Sequence, residues 1–527
     1  MTKAALTLAV AILALAASRA GAEDAATQQL GDVHFATSCN DVAQRRFDRA
    51  MRYQHSFWYQ QSKEIYEEAL QSDPNCAIAY WGIALSLWNN PHGQPPRPNL
   101  APALAAIRKA QAIGAKTERE RDFISALALL YTDYDTVEYR VRLQSYLKAM
   151  EALAAKYPDD DEAQIFYAIT LNVSASPTDK TYVQQLKGAA ILEPIFKRRP
   201  QHPGVAHYLI HLYDYPPIAA RGLDAAMRYA SIAPAAPHAQ HMPSHIFTRV
   251  GYWKESIASN TASVKAAKAT KENNEALHAS DYMVYAYLQL AHDREAQAVI
   301  ADMTTVTSFN PDTAGAPFAL AASPARYAVE RGDWTGAAAL EVRPTKFAHV
   351  EAISHFARAL GAARSGHPEA AQAEIAKLTE LHDKLRDAKD VYWANQVDIQ
   401  REIATAWALQ ARGQHDEAVA AMRAAADAED KTEKSPVTPG PLAPARELLG
   451  DMLLERGDAT GALAAFAATL TKEPNRFNAT AGAAAAADKL GDKAKATAYY
   501  EKLVALAAGS DSDRPALARA RQYLAKN

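Results

Sequence analysis

Apolar positions recur with helical spacing in two successive stretches near the C-terminus, "ARELLGDMLLERGDATGALAAFAATLTKEP" and "GAAAAADKLGDKAKATAYYEKLVAL". Gly450 and Ala484, Ala462 and Ala496, and Phe466 and Tyr500 are each 34 residues apart. Small residues fall where two helices cross, an aromatic falls in the second helix, and Pro474 closes the unit. The pattern predicts pairs of amphipathic helices. Neither helix of a pair can bury its apolar face alone, so neighbouring pairs must stack.

The same spacing governs the other end of the chain. In "FDRAMRYQHSFWYQQSKEIYEEALQSDP", Ala50, Tyr53, Ser62, Tyr66, Ala69 and Pro74 take the corresponding places, and "AYWGIALSLW" begins the next unit. Further units are readable around "YPDDDEAQIFYAITL", "PGVAHYLIHLYDY", "HMPSHIFTRVGYWKESIASN" and "HASDYMVYAYLQLAHDREA". With this period and these residues the chain resembles the tetratricopeptide repeat family, and within it secreted bacterial members. The resemblance implies an all-α fold, an α-solenoid or superhelix of about ten stacked helical hairpins with a concave inner face.

Two segments stand outside the repeat. The first residues, "MTKAALTLAVAILALAASRAGAEDA", carry an early Lys3, an apolar run and a small-residue Ala20-Gly21-Ala22 site. They read as a signal peptide over residues 1–22, with the mature chain exported to the periplasm or secreted. The apolar run is shorter than the roughly 20 residues a spanning helix needs, so no integral membrane segment is expected after cleavage. Residues 427–444, "DAEDKTEKSPVTPGPLAP", follow an acidic run with four prolines and cannot continue a helix. They read as an insertion, a solvated connector in preference to a lid, between a repeat region over 23–426 and a C-terminal pair of repeats over 445–527. Charge is nearly balanced, 57 basic against 60 acidic residues, with no basic stripe of the kind nucleic acid requires.

Only Cys39 and Cys76 occur. In an oxidising compartment they form one disulfide or remain two buried thiols. The repeat register favours the bond: Cys39 precedes the first helix of its hairpin and Cys76 follows the second, so antiparallel helices bring both to one edge. A bridge there limits fraying of a terminal unit.

Histidines concentrate in the middle of the chain. In the tetratricopeptide family the first helix of each repeat lines the groove, with contacts at its positions 2, 5, 9, 12 and 13. Counted from Pro237, the stretch "HAQHMPSHIF" puts His238, His241 and His245 at positions 2, 5 and 9. One repeat earlier His207, His211 and Asp214 take positions 5, 9 and 12; one repeat later His278, Asp281 and Tyr285 take 2, 5 and 9. The i,i+4 pairs His207/His211 and His241/His245 let two imidazoles reach one divalent ion, zinc or copper, with Asp214 or Asp281 as ligand or orienting partner. Such a site binds neutral imidazole, so its affinity falls as pH drops through about 6.5. Two plainer readings stay open: a polar groove whose histidines bond one another and water, or a duplicated structural histidine. Pro243 also interrupts this helix and clashes with the Ala239 carbonyl, so the helix starts near Pro243 and leaves His238 and His241 on a lead-in loop.

The remaining groove positions are aromatic near the N-terminus (Phe47, Trp81, Trp88, with His55 at the edge), where helix-spaced aromatics also read as partly core, and acidic near the C-terminus (Glu447, Asp451, Glu455). Arg249 joins Asp214, Tyr285, His55 and Trp81 among the candidate binding residues. No Gly-rich phosphate loop, HExxH, GxSxG or CxxCH motif occurs. Three functions follow: an exported scaffold binding a protein or peptide in its groove, a copper- or zinc-handling protein, and a metal-dependent hydrolase with Asp214 or Asp281 as base and Tyr285 as donor.

Overall fold

A computed structural model describes residues 30–526; the expected signal peptide lies outside the described residues. The described residues form helices and no strand, arranged as consecutive antiparallel hairpins whose first helices pack on one another. They divide into two compact units, one of residues 30–213 with Arg221–Pro243, the other of Asp214–Ala220 with residues 244–526. No helix among them is long and apolar enough to cross a membrane.

The first unit runs from the hairpin Asp41–His55 and Tyr59–Ser72 to Pro203–Tyr213 and Leu223–Ile232. Its N-terminal core is aromatic. Phe35 lies 5.1 Å from Phe47 and 5.6 Å from Trp81, ring centre to ring centre, and Trp81 packs edge-on to Phe166 at 5.6 Å. Trp81, expected in the groove, is 1% exposed and belongs to this core. Its neighbours explain the difference, because burying such a ring among others is worth roughly 2–3 kcal/mol or more. Cys39 and Cys76 are joined, with Cα atoms 5.0 Å apart. The bridge ties the lead-in of the first helix to the start of Ala77–Trp88.

In the second unit the hairpins run from Pro243–Val250 and Trp253–Thr270 to Phe477–Lys489 and Lys493–Leu506, followed by Pro515–Lys526. The small residues of the 34-residue period have a steric cause here. A Cβ on Gly450 would sit 2.7 Å from the Phe466 ring, and one on Gly482 only 2.3 Å from it. One aromatic from a second helix thus fills the notch between two first helices. The unit also closes on itself: Trp253 Nε1 donates to the Asn475 carbonyl at 2.8 Å, and Arg514 Nη2 to Asp293 Oδ1 at 2.6 Å.

Two local expectations need revision. The chain breaks at Met242–Pro243 as the proline requires, but His238 and His241 sit on a short helix, Pro237–His241, and not on a loop. Residues 427–430 finish the helix His415–Asp430, and the rest of the insertion is no solvated connector. Thr432, Glu433, Thr438, Gly440 and Leu442 are buried against the first-helix wall of the second unit. Three prolines in this stretch lack N–H groups, so it cannot form helix, and its carbonyls take their hydrogen bonds from wall side chains instead.

Candidate functional site

His207 and His211 lie one turn apart on Pro203–Tyr213, and His238 reaches them from Pro237–His241. One ligand nitrogen from each falls within 4.8 Å of the others. His207 Nδ1 is 2.7 Å from the His55 carbonyl oxygen, which can only accept. Nδ1 therefore carries the proton, and the lone pair is on Nε2, 3.1 Å from His211 Nε2. Burial, reinforced by the imidazoles of His238, His92 and His55, holds His207 well below the ordinary histidine value, so it is neutral. This is how proteins present an imidazole to a metal: one nitrogen fixed on a carbonyl, the other basic and directed inward.

Phe57 supports the three rings. It meets His207 edge-on at 4.3 Å and stacks on His211 and His238 at 5.6 and 5.2 Å. Its φ of 58° is left-handed, costing a bulky residue about 1–2 kcal/mol. That strain buys the ring its place under the histidines. His92, from the loop before Arg97–Ile113, adds a fourth imidazole 4.2 Å from the His211 ring centre. The donors are imidazole nitrogens without a carboxylate, a set that suits zinc or copper and disfavours hard cations such as calcium or magnesium.

A second group in this unit has a different character. Glu162 Oε2 accepts from His55 Nε2 at 3.1 Å, Oε1 accepts from His202 Nε2 at 2.9 Å, and His55 Nδ1 faces the Tyr208 hydroxyl at 3.0 Å. Burial pushes the Glu162 carboxyl up, but the two imidazoles outweigh it and hold it below the usual range. A Cβ on Gly204 would stand 2.4 Å from His55 Nδ1, so the node is tightly packed. It is a hydrogen-bonded node centred on a carboxylate, with His202 Nδ1 left without a hydrogen-bond partner among the described residues.

His241 is buried in the first unit, its ring 6.0 Å from that of His238. In the second unit His245 Nδ1 donates to Asp214 Oδ2 at 2.9 Å, and its ring lies 4.9 Å from Tyr282, which His278 meets edge-on at 5.4 Å. Asp214 also accepts from Arg249 Nε at 2.8 Å and from Lys434 at 3.2 Å. Burial alone would raise its pKa; Lys434 and Arg249 win and hold it far below the usual carboxylate range. Asp281 faces Arg326 at 3.6 Å and accepts from Ser323 at 3.0 Å. The Tyr285 hydroxyl donates to Glu473 at 2.9 Å and accepts from Arg476 at 3.0 Å. Asp214 and Tyr285, suggested as hydrolytic base and donor, are thus committed to internal partners, whereas Asp281 Oδ2 has no hydrogen-bond partner among the described residues.

His92, Glu162, His202, Arg326 and Lys434 have no counterpart among the residues read from the sequence. His92 sits in "NNPHGQPPRP", which reads only as a turn, and Glu162 follows three aspartates at a helix start, where acids are ordinarily solvated. Lys434 lies in the segment expected to be a connector.

Fold and site together define a helical-hairpin repeat protein with converging histidines in one unit and an internally occupied polar wall in the other. No family model matches the chain, and no curated protein matches it. Solved structures similar to it include the APC/C heterotetramer Cut9–Hcn1 (12% identity, 92% of this chain and 96% of that one, TM-score 0.31). Another is the human IFIT1 dimer with m7Gppp-AAAA (11% identity, 82% and 90%, TM-score 0.32). Likeness at this level carries no weight for function.

Proposed function

We propose that this protein is an exported helical-repeat binding protein that holds a divalent metal ion, zinc or copper, on the histidines of its first unit and a protein or peptide partner on its repeat surface. The observation that carries the metal reading is the fixed tautomer of His207. With Nδ1 on the His55 carbonyl, Nε2 is left as a donor among the imidazoles of His211 and His238. His207, His211 and His238 would be the ligands, with a fourth position left open. When bound, the metal would supply a positive centre in a pocket built of imidazoles and would clamp two consecutive repeats together.

The test is metal content and thermal melting of the full chain after supply of zinc or copper. The expected result is one equivalent per chain, a melting point that falls on chelation, and loss of both in the double variant His207→Ala, His238→Ala. A parent chain that retains no metal under either supply rules the reading out.

A further inference from the structure

The buried segment of the second unit lies on its wall as a bound peptide would. Tyr282 donates to the carbonyls of Pro436 and Thr438, both at 3.0 Å, and Tyr392 to that of Glu433 at 2.8 Å. Arg326, 1% exposed, donates to the Pro441 carbonyl at 2.8 Å. Lys434 anchors the segment on Asp214. These donors come from three first helices, Asn273–Gln289, Gly315–Arg331 and Val391–Ala411, with the first helix Ala348–Arg364 between the last two. Side-chain donors here read the carbonyls of a proline-bearing segment that turns at Ser435–Thr438, beside aromatic rings, as a receptor reads the backbone of a captured peptide.

The fit is incomplete. Between segment and wall lies a cavity of ≈ 70 Å³. His349, 8% exposed and stacked on Trp393 at 4.1 Å, lines it with an Nε2 that has no hydrogen-bond partner among the described residues. Gln400 lines it too, with an Oε1 in the same state. Buried polar atoms left unsatisfied cost about 1–3 kcal/mol each. The resident segment does not meet what the wall offers.

We propose that the first-helix wall of the second unit is a receptor for a turn-forming, proline-containing peptide of a partner protein, and that residues 432–442 are its tethered stand-in. The proposal rests on reading the chain as a partner-binding repeat protein. The partner segment carries a basic side chain for Asp214 and a polar side chain that reaches His349 and Gln400. Those last two contacts give it the advantage it needs, because a tethered competitor acts at millimolar effective concentration.

The experiment uses the full chain with residues 432–442 replaced by a Gly/Ser linker of equal length, titrated with the capped peptide TEKSPVTPGPLA. The expected result is binding of one equivalent, at least tenfold weaker binding to the unmodified chain, and a tenfold or greater loss when Arg326→Ala is added to the linker variant. Absence of binding to a folded linker variant overturns the proposal. Binding that ignores Arg326→Ala also overturns it, while leaving the broader partner-binding function standing. Hydrogen exchange on the unmodified chain covers the case in which the linker variant does not fold. Amides of 432–442 should exchange ahead of those in His415–Asp430 and Ala445–Glu455, and exchange at the same rate as those helices refutes a segment that can lift by itself.

Discussion

His207/His211 and His241/His245 share a spacing and a repeat register, yet they differ in everything that decides chemistry. In the first unit His207 is turned by a backbone carbonyl so that its basic nitrogen meets another imidazole, that of His211. In the second, His245 donates to a carboxylate that also holds Arg249 and Lys434. The second pair is also interrupted by the break at Met242–Pro243. Equal spacing therefore does not carry equal function. What separates a ligand from a structural histidine is the group on its other nitrogen and the charge nearby. Neutral donors gathered without a counter-charge favour a metal; donors matched to ionised partners favour stability.

That contrast is tested most severely at Arg476. It is fully buried, donates to Glu447 at 2.6 and 3.0 Å and to Glu330 at 2.5 Å, and joins the last hairpins to the first ones of the second unit. Arg476→Met leaves two buried carboxylates without their cation and should cost about 3–5 kcal/mol, read as a lower denaturation midpoint. Loss below about 1 kcal/mol would show that the pairing of charges does not stabilise this unit.

The first unit carries a covalent tie besides its buried Glu162 node. Cys39→Ser with Cys76→Ser opens a bridge spanning 37 residues and should cost about 2–4 kcal/mol in denaturant titration. The loss should be confined to residues of the first unit in hydrogen exchange.

Next in size is a pH effect in the second unit. Burial pushes Glu429 up to about 7 from 4.5, so the folded chain keeps this proton where the unfolded chain has released it. Stability from this group is complete below pH 4.5 and falls as pH rises to about 7. Glu429→Gln should therefore raise stability at pH 8 by roughly 1–3 kcal/mol and make little difference near pH 4, since each pKa unit is worth about 1.4 kcal/mol. A variant that stabilises equally at both pH values would contradict the assignment. The smallest effect belongs to the solvent-facing pair Lys268–Asp302, at 2.7 Å. Lys268→Ala should change stability by less than about 0.5 kcal/mol.

The hairpin stack was legible because its cause is local and periodic. The notch that Phe466 fills recurs as small residues at a fixed interval, which a sequence displays directly. The histidine positions were legible for the same reason, since a 34-residue register carries them to successive first helices. Partners brought from a distance were not. Glu162 meets His55 across 107 residues and Lys434 meets Asp214 across 220. Neither carries a local mark that separates it from a solvated charge. Trp81 was ambiguous because helical spacing alone cannot tell a groove face from a core face, and five clustered rings decide the matter. The 431–444 stretch was misread because its prolines exclude helix without stating where its carbonyls find donors.

The central claim is that His207, His211 and His238 form a metal centre, and anomalous diffraction tests it most directly. Crystals of the full chain grown with one equivalent of zinc, with data collected on both sides of the zinc absorption edge, should show one peak bonded to His207 Nε2 at about 2.0–2.1 Å and shared with the other two imidazoles. A map with no peak there, or with zinc only at solvent-exposed side chains, would contradict the account.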